Sequence, residues 1–314
     1  MNKIVKSVSL KFGLNEYEAN HLIASAPKRY KDYPIDKSSG RGVRMISQPA
    51  PAVKNLQRFL IQEFLIRLPV HDSAYAYRKS RSIKDNAECH AKSRYLLKMD
   101  FKSFFPSIKG NDFKLHINKH LAVVLNEDEI DSIISACFRR RRKDEVPYLS
   151  IGAPSSPLIS NSILFDFDVI ILSHCQALDV IYTRYADDIT FSTDRSDVLR
   201  DIPNFIQETL NAMQYPKLTI NSRKTLHTSK KRNRKVTGLT ISNDGVASIG
   251  RDRKRTISAM VHKSKLNELS QKDLEALKGQ LGFIKFIDPV FFQKLKDKYG
   301  SDLIERIQKT NFGS

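Results

Sequence analysis

An α+β fold, built from antiparallel hairpins and amphipathic helices in one or two interlocked domains, is the class this sequence predicts, and three observations carry it. Val180 to Thr193 reads VIYTRYADDITFST, in which two β-rich apolar segments, Val180 to Tyr185 and Ile189 to Thr193, flank the adjacent carboxylates Asp187 and Asp188. That is how a hairpin with an acidic turn is written. Val53 to Arg67, VKNLQRFLIQEFLIR, places Leu56, Phe59, Leu60, Phe64 and Leu65 on one helical face. The third observation is length: 314 residues can bury a substantial core.

In chain order, residues 1–35 read as a helical lead-in, with Leu14, Tyr17, Leu22 and Ile23 at apolar spacing and Pro27 ending the pattern. SSGRGVRMISQP then predicts a short hairpin turning at Gly40 and Gly42, from which Arg41 and Arg44 project. Both arginines suit a triphosphate, and both equally suit a solvated basic hairpin. AYAYRKSRSIKDNAECH is basic with interleaved tyrosines, a pattern for gripping a nucleic-acid backbone and stacking on bases. RYLLKMDFKSFFPSI predicts an apolar strand (Leu96, Leu97, Met99) that ends on Asp100, with Phe101, Phe104 and Phe105 behind it. Helices are expected from Asn111 to Arg142, ending in the basic run FRRRRKDE. A small-residue loop, Gly152 to Pro157, leads into one long apolar helix, and DIPNFIQETLNAM reads as a further amphipathic helix. LTINSRKTLH predicts a strand and then a turn carrying Lys224. Val236 to Ile241 predicts another strand, with a turn at Asn243 to Gly245 and a second short strand. From Thr256 the chain reads as helical, with Leu274, Leu277, Leu281, Ile284 and Phe286 on the buried stripe.

Lys and Arg number 53 against 34 Asp and Glu, a formal charge of +19. Such an excess points to a polyanionic partner, nucleic acid before a membrane surface. No apolar run approaches the roughly 20 residues of a spanning helix, and MNKIVKSVSLKF lacks the apolar core of a signal peptide, so a cytosolic protein with no membrane partner is expected. Cys89, Cys137 and Cys175 are widely spaced and odd in number, which excludes a disulfide framework and a four-ligand zinc site.

Two neighbouring ionised aspartates at a tight turn repel, and the arrangement is costly unless a cation sits there. Asp100, a charge inside an apolar run, likewise needs a partner or a metal. A strand-borne Asp, a small-residue loop before a helix and a hairpin tipped by two carboxylates are together the parts of a two-metal phosphoryl-transfer site. There, ions roughly 3.5 to 4 Å apart activate a 3′-hydroxyl and neutralise pyrophosphate. The expected substrate is a nucleoside triphosphate.

These segments resemble the reverse transcriptases: MDFKSFFPSI looks like polymerase motif A, GAPSSP like motif B, YADD like motif C, INSRKT like motif D and the VTG stretch like the primer-grip region. Within them the chain is most similar to the bacterial retron enzymes, since NAECH at 86–90 matches their NAxxH element and VTG at 236–238 their VTG element. The resemblance implies a right-hand polymerase fold. Its parts would be a lead-in at 1–35, fingers at 36–95, a palm with an antiparallel sheet backed by helices at 96–235, a primer-grip hairpin at 236–255 and a helical thumb at 256–314. It implies Mg²⁺, two ions with Mn²⁺ able to substitute, on Asp100, Asp187, Asp188 and the carbonyl of Phe101. It places Arg41, Arg44, Phe105, Gly152 and Lys224 at the nucleotide, with Phe105 as an aromatic gate against the 2′-hydroxyl. Asn86, His90, Lys230, Lys231, Arg232, Arg234, Val236, Thr237 and Gly238 are the RNA contacts it implies. One departure stands out: where the family has Gln before the motif B glycine, this chain has Ile151.

By the same resemblance the partners would be dNTPs, a cognate structured non-coding RNA serving as template and primer source, and its branched product, msDNA. An accessory effector protein, a separate RNase H and a role in phage defence complete what the resemblance implies. The alternatives are a group II intron-like or diversity-generating reverse transcriptase, and a scaffold whose fold has lost catalysis. The chain's end soon after the thumb speaks against the first, and the three costly carboxylates speak against the second.

Overall fold

The computed structural model describes residues 2–36, 42–121 and 125–310. They form two compact units: Met1–Ser80, Leu97–Phe191 and Asp197–Leu226 in the first, and Arg81–Leu96, Ser192–Ser196 and His227–Ser314 in the second.

The first unit opens with helices Lys3–Phe12 and Glu16–Ser25. The side chain of Asn2 accepts from the Ile4 and Val5 amides, and Asn15 forms a capping box with Glu18, so both helix starts have their exposed amides satisfied. The helical pattern ends at Pro27 as expected, and the rest of the 1–35 lead-in is strand. After a 3₁₀ turn at Ala26–Lys28, strand β1 (Tyr30–Asp36) pairs antiparallel with β2 (Val43–Pro49) in the register Tyr30↔Pro49 to Asp36↔Val43. Cross-strand pairing over seven residues outweighs the weak helical preference of YKDYPI. The turn of this hairpin, with Gly40 and Arg41, lies outside the described residues.

A four-stranded sheet with order β4–β5–β3–β6 carries β3 (Tyr95–Asp100), β4 (Ile181–Tyr185), β5 (Asp188–Thr193) and β6 (Leu226–Ser229). β4 and β5 form the acidic hairpin as expected. The strand expected at Leu218 to Ile220 is displaced to β6: Ile220 makes only an isolated bridge to Phe101, and Lys224 sits in a 3₁₀ turn, Ser222–Lys224. The single long apolar helix is two, Ser156–Ile163 and Phe165–Ala177, bent by 48°. Ser160 donates back to the Pro157 carbonyl at 3.0 Å, a local bond that competes with the helical ladder. The bend lets Ile159 and Ile163 on one limb and Phe167 and Ile171 on the other reach the core. Among the described residues no single helix is long and apolar enough to cross a membrane.

The basic run after the Glu127–Cys137 helix is not a helix end but a bridge. Arg139 is buried, reaching Asp32 on β1 at 2.5 Å and the Ser47 hydroxyl on β2, and Arg141 joins Asp32 at 2.9 Å. These cations hold the Asp32 carboxyl down at about 2 and pin the hairpin to the helical body.

In the second unit the Ile83–Cys89 helix packs on a sheet of β7 (Arg234–Val236), β8 (Leu239–Ile241) and β9 (Ala247–Ser248). Helices Arg251–Lys265, Gln271–Ile287, Pro289–Tyr299 and Ser301–Lys309 follow. Ala87, Val236, Leu239, Ile257, Leu277, Leu281 and Ile284 share one core. Phe286, expected in that stripe, is 56% exposed, and Ile287 is buried in its place. The expected strand from Val236 to Ile241 is interrupted: Val236 pairs with Leu239, and Thr237 and Gly238 turn between them with φ of 46° and 80°. A two-residue hairpin with positive φ at both central positions favours glycine at the second, and the Thr237 hydroxyl is anchored by donating to the Ile83 carbonyl at 2.9 Å.

Arg234 corrects another expectation, because it is fully buried and unable to meet an RNA surface. Its guanidinium donates to the carbonyls of Ala91, Ser93 and Ser242, closing the loop after the Ile83–Cys89 helix onto the sheet. Arg234→Ala would take the guanidinium donors from the Ala91 and Ser93 carbonyls in the interior, while the Ser242 carbonyl keeps the Gly245 amide. It should cost roughly 3 kcal/mol in chemical denaturation of this unit, against under about 0.5 kcal/mol for the exposed neighbour Arg232→Ala.

Candidate active site

Neighbouring strands of one sheet bring the acids together. Asp100 is the last residue of β3 and Asp188 the first of the adjacent β5, and the Phe101 amide donates to the Asp187 carbonyl at 3.0 Å, locking the strand end to the hairpin tip. At that tip Ala186 has φ of 56°. The left-handed region costs a non-glycine residue about 1–3 kcal/mol, and such strain gathers where function dictates geometry. Asp100 is 5% exposed. Its Oδ2 accepts from Lys224 Nζ at 2.7 Å, and its main-chain carbonyl accepts from the Asn221 amide at 2.7 Å.

The electrostatics of the cluster are unfavourable without added positive charge. Burial, then the charges of Asp188 and Asp100, push the Asp187 carboxyl up to about 6. Asp188 is also raised, chiefly by burial, although Lys98, Lys224 and Arg44 pull the other way. A donor set of three carboxylates with the Phe101 carbonyl at the junction suits a hard divalent cation. As they stand, no three His, Cys, Asp or Glu side chains among the described residues converge in a metal-gripping arrangement. Lys224 occupies an oxygen of Asp100 that such an ion would use, and its side chain is more than half exposed.

A cavity of about 410 Å³ is lined by Lys54, Arg58, Tyr77, Phe105, Ile151 and Gly152, among others, and its Tyr77 wall is within electrostatic reach of Asp187. Phe105 and Gly152, expected at the nucleotide, thus face one space, with Ile151 in the wall where the family carries Gln. Gly152 is also needed for packing: its φ is 113°, a Cβ there would meet Ile46 Cγ2 at 3.1 Å and the Ser47 carbonyl at 3.3 Å, and the preceding Ile151 carbonyl accepts from the Ser47 amide. Asp187 acts on the Tyr77 hydroxyl, which, chiefly through burial, is raised above the ordinary phenol range. Arg44, exposed on β2, acts electrostatically on both Tyr77 and Asp188. Lys54, Arg58 and Lys98 were not singled out from the sequence, and Tyr77 entered only as one of the tyrosines interleaved in AYAYRKSRSIKDNAECH. The four-residue spacing of Lys54 and Arg58, opposite the apolar stripe of the Pro51–Glu63 helix, was the available signal.

The expected RNA contacts divide. Lys231, Arg232 and Gly238 are exposed and Lys230 is half-buried. With Arg234 buried, the basic set is reduced to Lys230, Lys231 and Arg232. Asn86, His90 and Val236 are also interior rather than surface groups. His90 Nδ1 lies 2.7 Å from Ser192 Oγ, and burial pushes its imidazole down to about 3, so it is neutral. Neither polar atom of the Asn86 amide finds a protein partner among the described residues. A polar cleft in the same unit, about 580 Å³, is lined by Asn233, Lys235, Gly238, Thr240, Arg251 and Arg253, so that Lys235, Arg251 and Arg253 add three exposed cations to this basic stretch.

Residues 35–241 match the family described as "Reverse transcriptase (RNA-dependent DNA polymerase)". The chain is 39% identical over 295 residues to the Retron Ec83 reverse transcriptase of Escherichia coli, covering 93% of this chain and 94% of that protein. It is 33% identical to the Retron Ec73 enzyme, with 90% of each covered, and 30% identical to the Retron Ec86 enzyme, covering 91% and 87%, both also from Escherichia coli. Among solved structures, telomerase from Candida albicans in complex with a fragment of telomeric RNA aligns over 94% of this chain and 68% of that one, at 12% identity and a TM-score of 0.48, too low to bear on the argument.

The raised Asp187 carboxyl has a measurable sign. A carboxyl whose folded value lies above its unfolded value contributes stability that is fully present below about 4 and lost as pH rises through about 6. In chelator-treated buffer at pH 7.5, Asp187→Asn should therefore melt a few degrees above the parent. The gap should close below pH 4, which thermal unfolding across the pH range checks.

Proposed function

Because this chain belongs to the reverse transcriptase family, and within it to the retron reverse transcriptases, we propose that its RNA-directed DNA polymerase site is built on Asp100, Asp187 and Asp188. We likewise propose that it copies a cognate structured RNA into branched msDNA. The observation that carries the site is the meeting of β3's terminal Asp100 with the strained, acid-bearing tip of the β4–β5 hairpin, within electrostatic reach of the Tyr77 wall of a cavity faced by Phe105 and Gly152.

Mg²⁺ held by these three carboxylates and the Phe101 carbonyl would activate the primer hydroxyl and offset charge on the leaving pyrophosphate. The chain's own groups do the rest. Asp187 and Asp188, part-buried and mutually repelling, give up their protons most readily when positive charge arrives. Arg44, together with Arg41, would receive the triphosphate, and Lys54 and Arg58 add positive charge at the cavity. Lys224, released from Asp100, carries a mobile ammonium toward departing phosphate. The Phe105 ring, stiffened by Phe104 at 5.2 Å, blocks space beside the sugar C2′ and penalises a ribonucleotide.

For the RNA, phosphate contacts at Lys230, Lys231, Arg232, Lys235, Arg251 and Arg253 would supply affinity and orientation with little sequence information. The Thr237–Gly238 turn would present exposed backbone to the duplex. Asn86, His90 and Val236 would act from beneath as packing. A cytoplasmic setting, an accessory effector, a separate RNase H and a part in phage defence belong to this reading through the family resemblance.

Asp187→Asn should retain the fold and lose DNA synthesis by at least about 10³-fold in a primer-extension assay with Mg²⁺; parental extension would remove Asp187 from the site. Phe105→Ala should raise the ratio of ribonucleotide to deoxynucleotide incorporation at least about tenfold, read by single-nucleotide kinetics; an unchanged ratio would make it a packing residue. Neutralising Lys230, Lys231 and Arg232 together should lower the slope of log affinity against log salt by about 2–3 while extension of a saturating primer-template persists. Full RNA affinity at physiological salt would move the interface elsewhere.

A further inference from the structure

Beneath the acidic hairpin lies a charge pair that the chemistry described so far does not use. Arg184 on β4 and Asp168 on the Phe165–Ala177 helix are both fully buried. Arg184 Nη2 reaches Asp168 Oδ2 at 2.6 Å and Nε reaches Oδ1 at 2.9 Å. The other donors go elsewhere: Nη1 to Asn161 Oδ1 at 3.2 Å and to the Ala186 carbonyl at 3.3 Å, and Nη2 also to the Asn161 carbonyl at 3.3 Å. All five N–H groups of the guanidinium therefore have an acceptor in reach. Asp168 also accepts from the Tyr182 hydroxyl at 2.6 Å.

Two of these contacts lead to the site. Ala186 is the left-handed residue directly before Asp187, and its carbonyl is held by Arg184. Asn161, held by the same guanidinium, donates through Nδ2 to the Ala76 carbonyl at 2.7 Å, and the next residue, Tyr77, lines the cavity with φ of 63°. The main chain repeats the link, since the Arg184 amide donates to the Ser73 carbonyl and the Tyr75 amide to the Arg184 carbonyl. One side chain thus fixes both the turn that aims the carboxylates and the segment that walls the cavity. A buried ion pair is a poor source of stability, because well-packed apolar groups of the same volume do as well or better. Its use here must lie in specifying one geometry.

We propose that Arg184, with Asp168 as its counter-ion and Asn161 as its relay, is a positioning residue that holds the Ala186–Asp187 turn and the Tyr77 wall in the single arrangement competent for nucleotide addition. The inference rests on the assignment of Asp187 and Asp188 to the polymerase site. It assigns Arg184 no contact with substrate.

Arg184→Lys tests it, because an ammonium keeps the charge for Asp168 but cannot span five acceptor oxygens from one rigid fork. The variant should melt within a few degrees of the parent and bind RNA as the parent does. Its kcat should fall about 100-fold, and the Mg²⁺ concentration giving a half-maximal thermal shift should rise about tenfold, since both follow from a turn misplaced by an ångström or less. Adding Ala186→Gly should recover about tenfold of the lost kcat, because glycine holds a positive φ without help. Parental kcat and metal response in folded Arg184→Lys would overturn the proposal, and so would a loss that Ala186→Gly leaves untouched. Should Arg184→Lys not fold, the charge-free Arg184→Met/Asp168→Leu chain replaces it: loss of kcat and of metal response in a folded protein supports the proposal, and parental values overturn it. Asp187→Asn run in parallel separates the premises. If it still extends primers the site assignment fails, whereas an inert Asp187→Asn beside a parental Arg184→Lys refutes positioning alone.

Discussion

The first unit depends on the burial of a complete ion pair, Arg184 with Asp168, at zero exposure for both side chains. Taking two charges out of water is expensive, and attraction repays it only when every remaining donor and acceptor is met. Here the requirement is fulfilled by elements distant in sequence. The β4 strand, the two limbs of the bent apolar helix and the 73–76 segment must all be in register before the guanidinium has its acceptors. The bend between the helices belongs to this arrangement, since it allows Asn161 on the first limb and Asp168 on the second to meet one arginine. A partly formed version would leave a buried charge unpaired, so intermediate geometries are penalised steeply.

On this rigid base stands a cluster with the opposite character. Asp187 and Asp188 are desolvated, and the neighbouring carboxylates, Asp100 among them, add to burial in raising their proton affinity, while Lys224, Lys98 and Arg44 offset the repulsion only in part. The protein therefore carries a local excess of negative charge that its fold does not need and that a divalent cation would relieve. The strain at Ala186 adds to the same account. Stability is given up at the site and supplied by the packing beneath it, the usual trade where a binding or reactive geometry is held ready in advance.

The second unit shows a different division of labour between interior and surface. The VTG turn packs against the helix that carries NAECH, with the Thr237 hydroxyl on the carbonyl of Ile83 at that helix's first residue. Most of their side chains are interior. Their part is to shape the turn and the sheet, while exposed positive charge is carried by neighbours outside the motifs, on the 230–232 loop and at the cleft with Lys235, Arg251 and Arg253. A motif therefore marks a geometry without every one of its residues being a contact.

The sequence alone determined what local chemistry and periodicity can express. Hairpin propensity on both sides of Asp187–Asp188, an apolar strand running into Asp100, the helical face of Val53 to Arg67 and a charge of +19 each have a physical meaning readable within a window of a few residues. They were enough for the α+β class, for the hairpin that carries Asp187 and Asp188, and for a strand ending on Asp100. What needed tertiary structure was every decision made by groups far apart in the chain. Arg234 and Lys231 look alike in a basic run, and only packing on the carbonyls of Ala91 and Ser93 sends one inside. Arg139 becomes a strut because Asp32, 107 residues away, is its partner. Lys54, Arg58 and Tyr77 become cavity walls because separate segments converge on one space. Arg184 gains its importance from Asp168 and Asn161 on helices whose bend no periodicity announced. Burial and pairing are properties of the assembled chain, whereas propensity is a property of the residue and its neighbours.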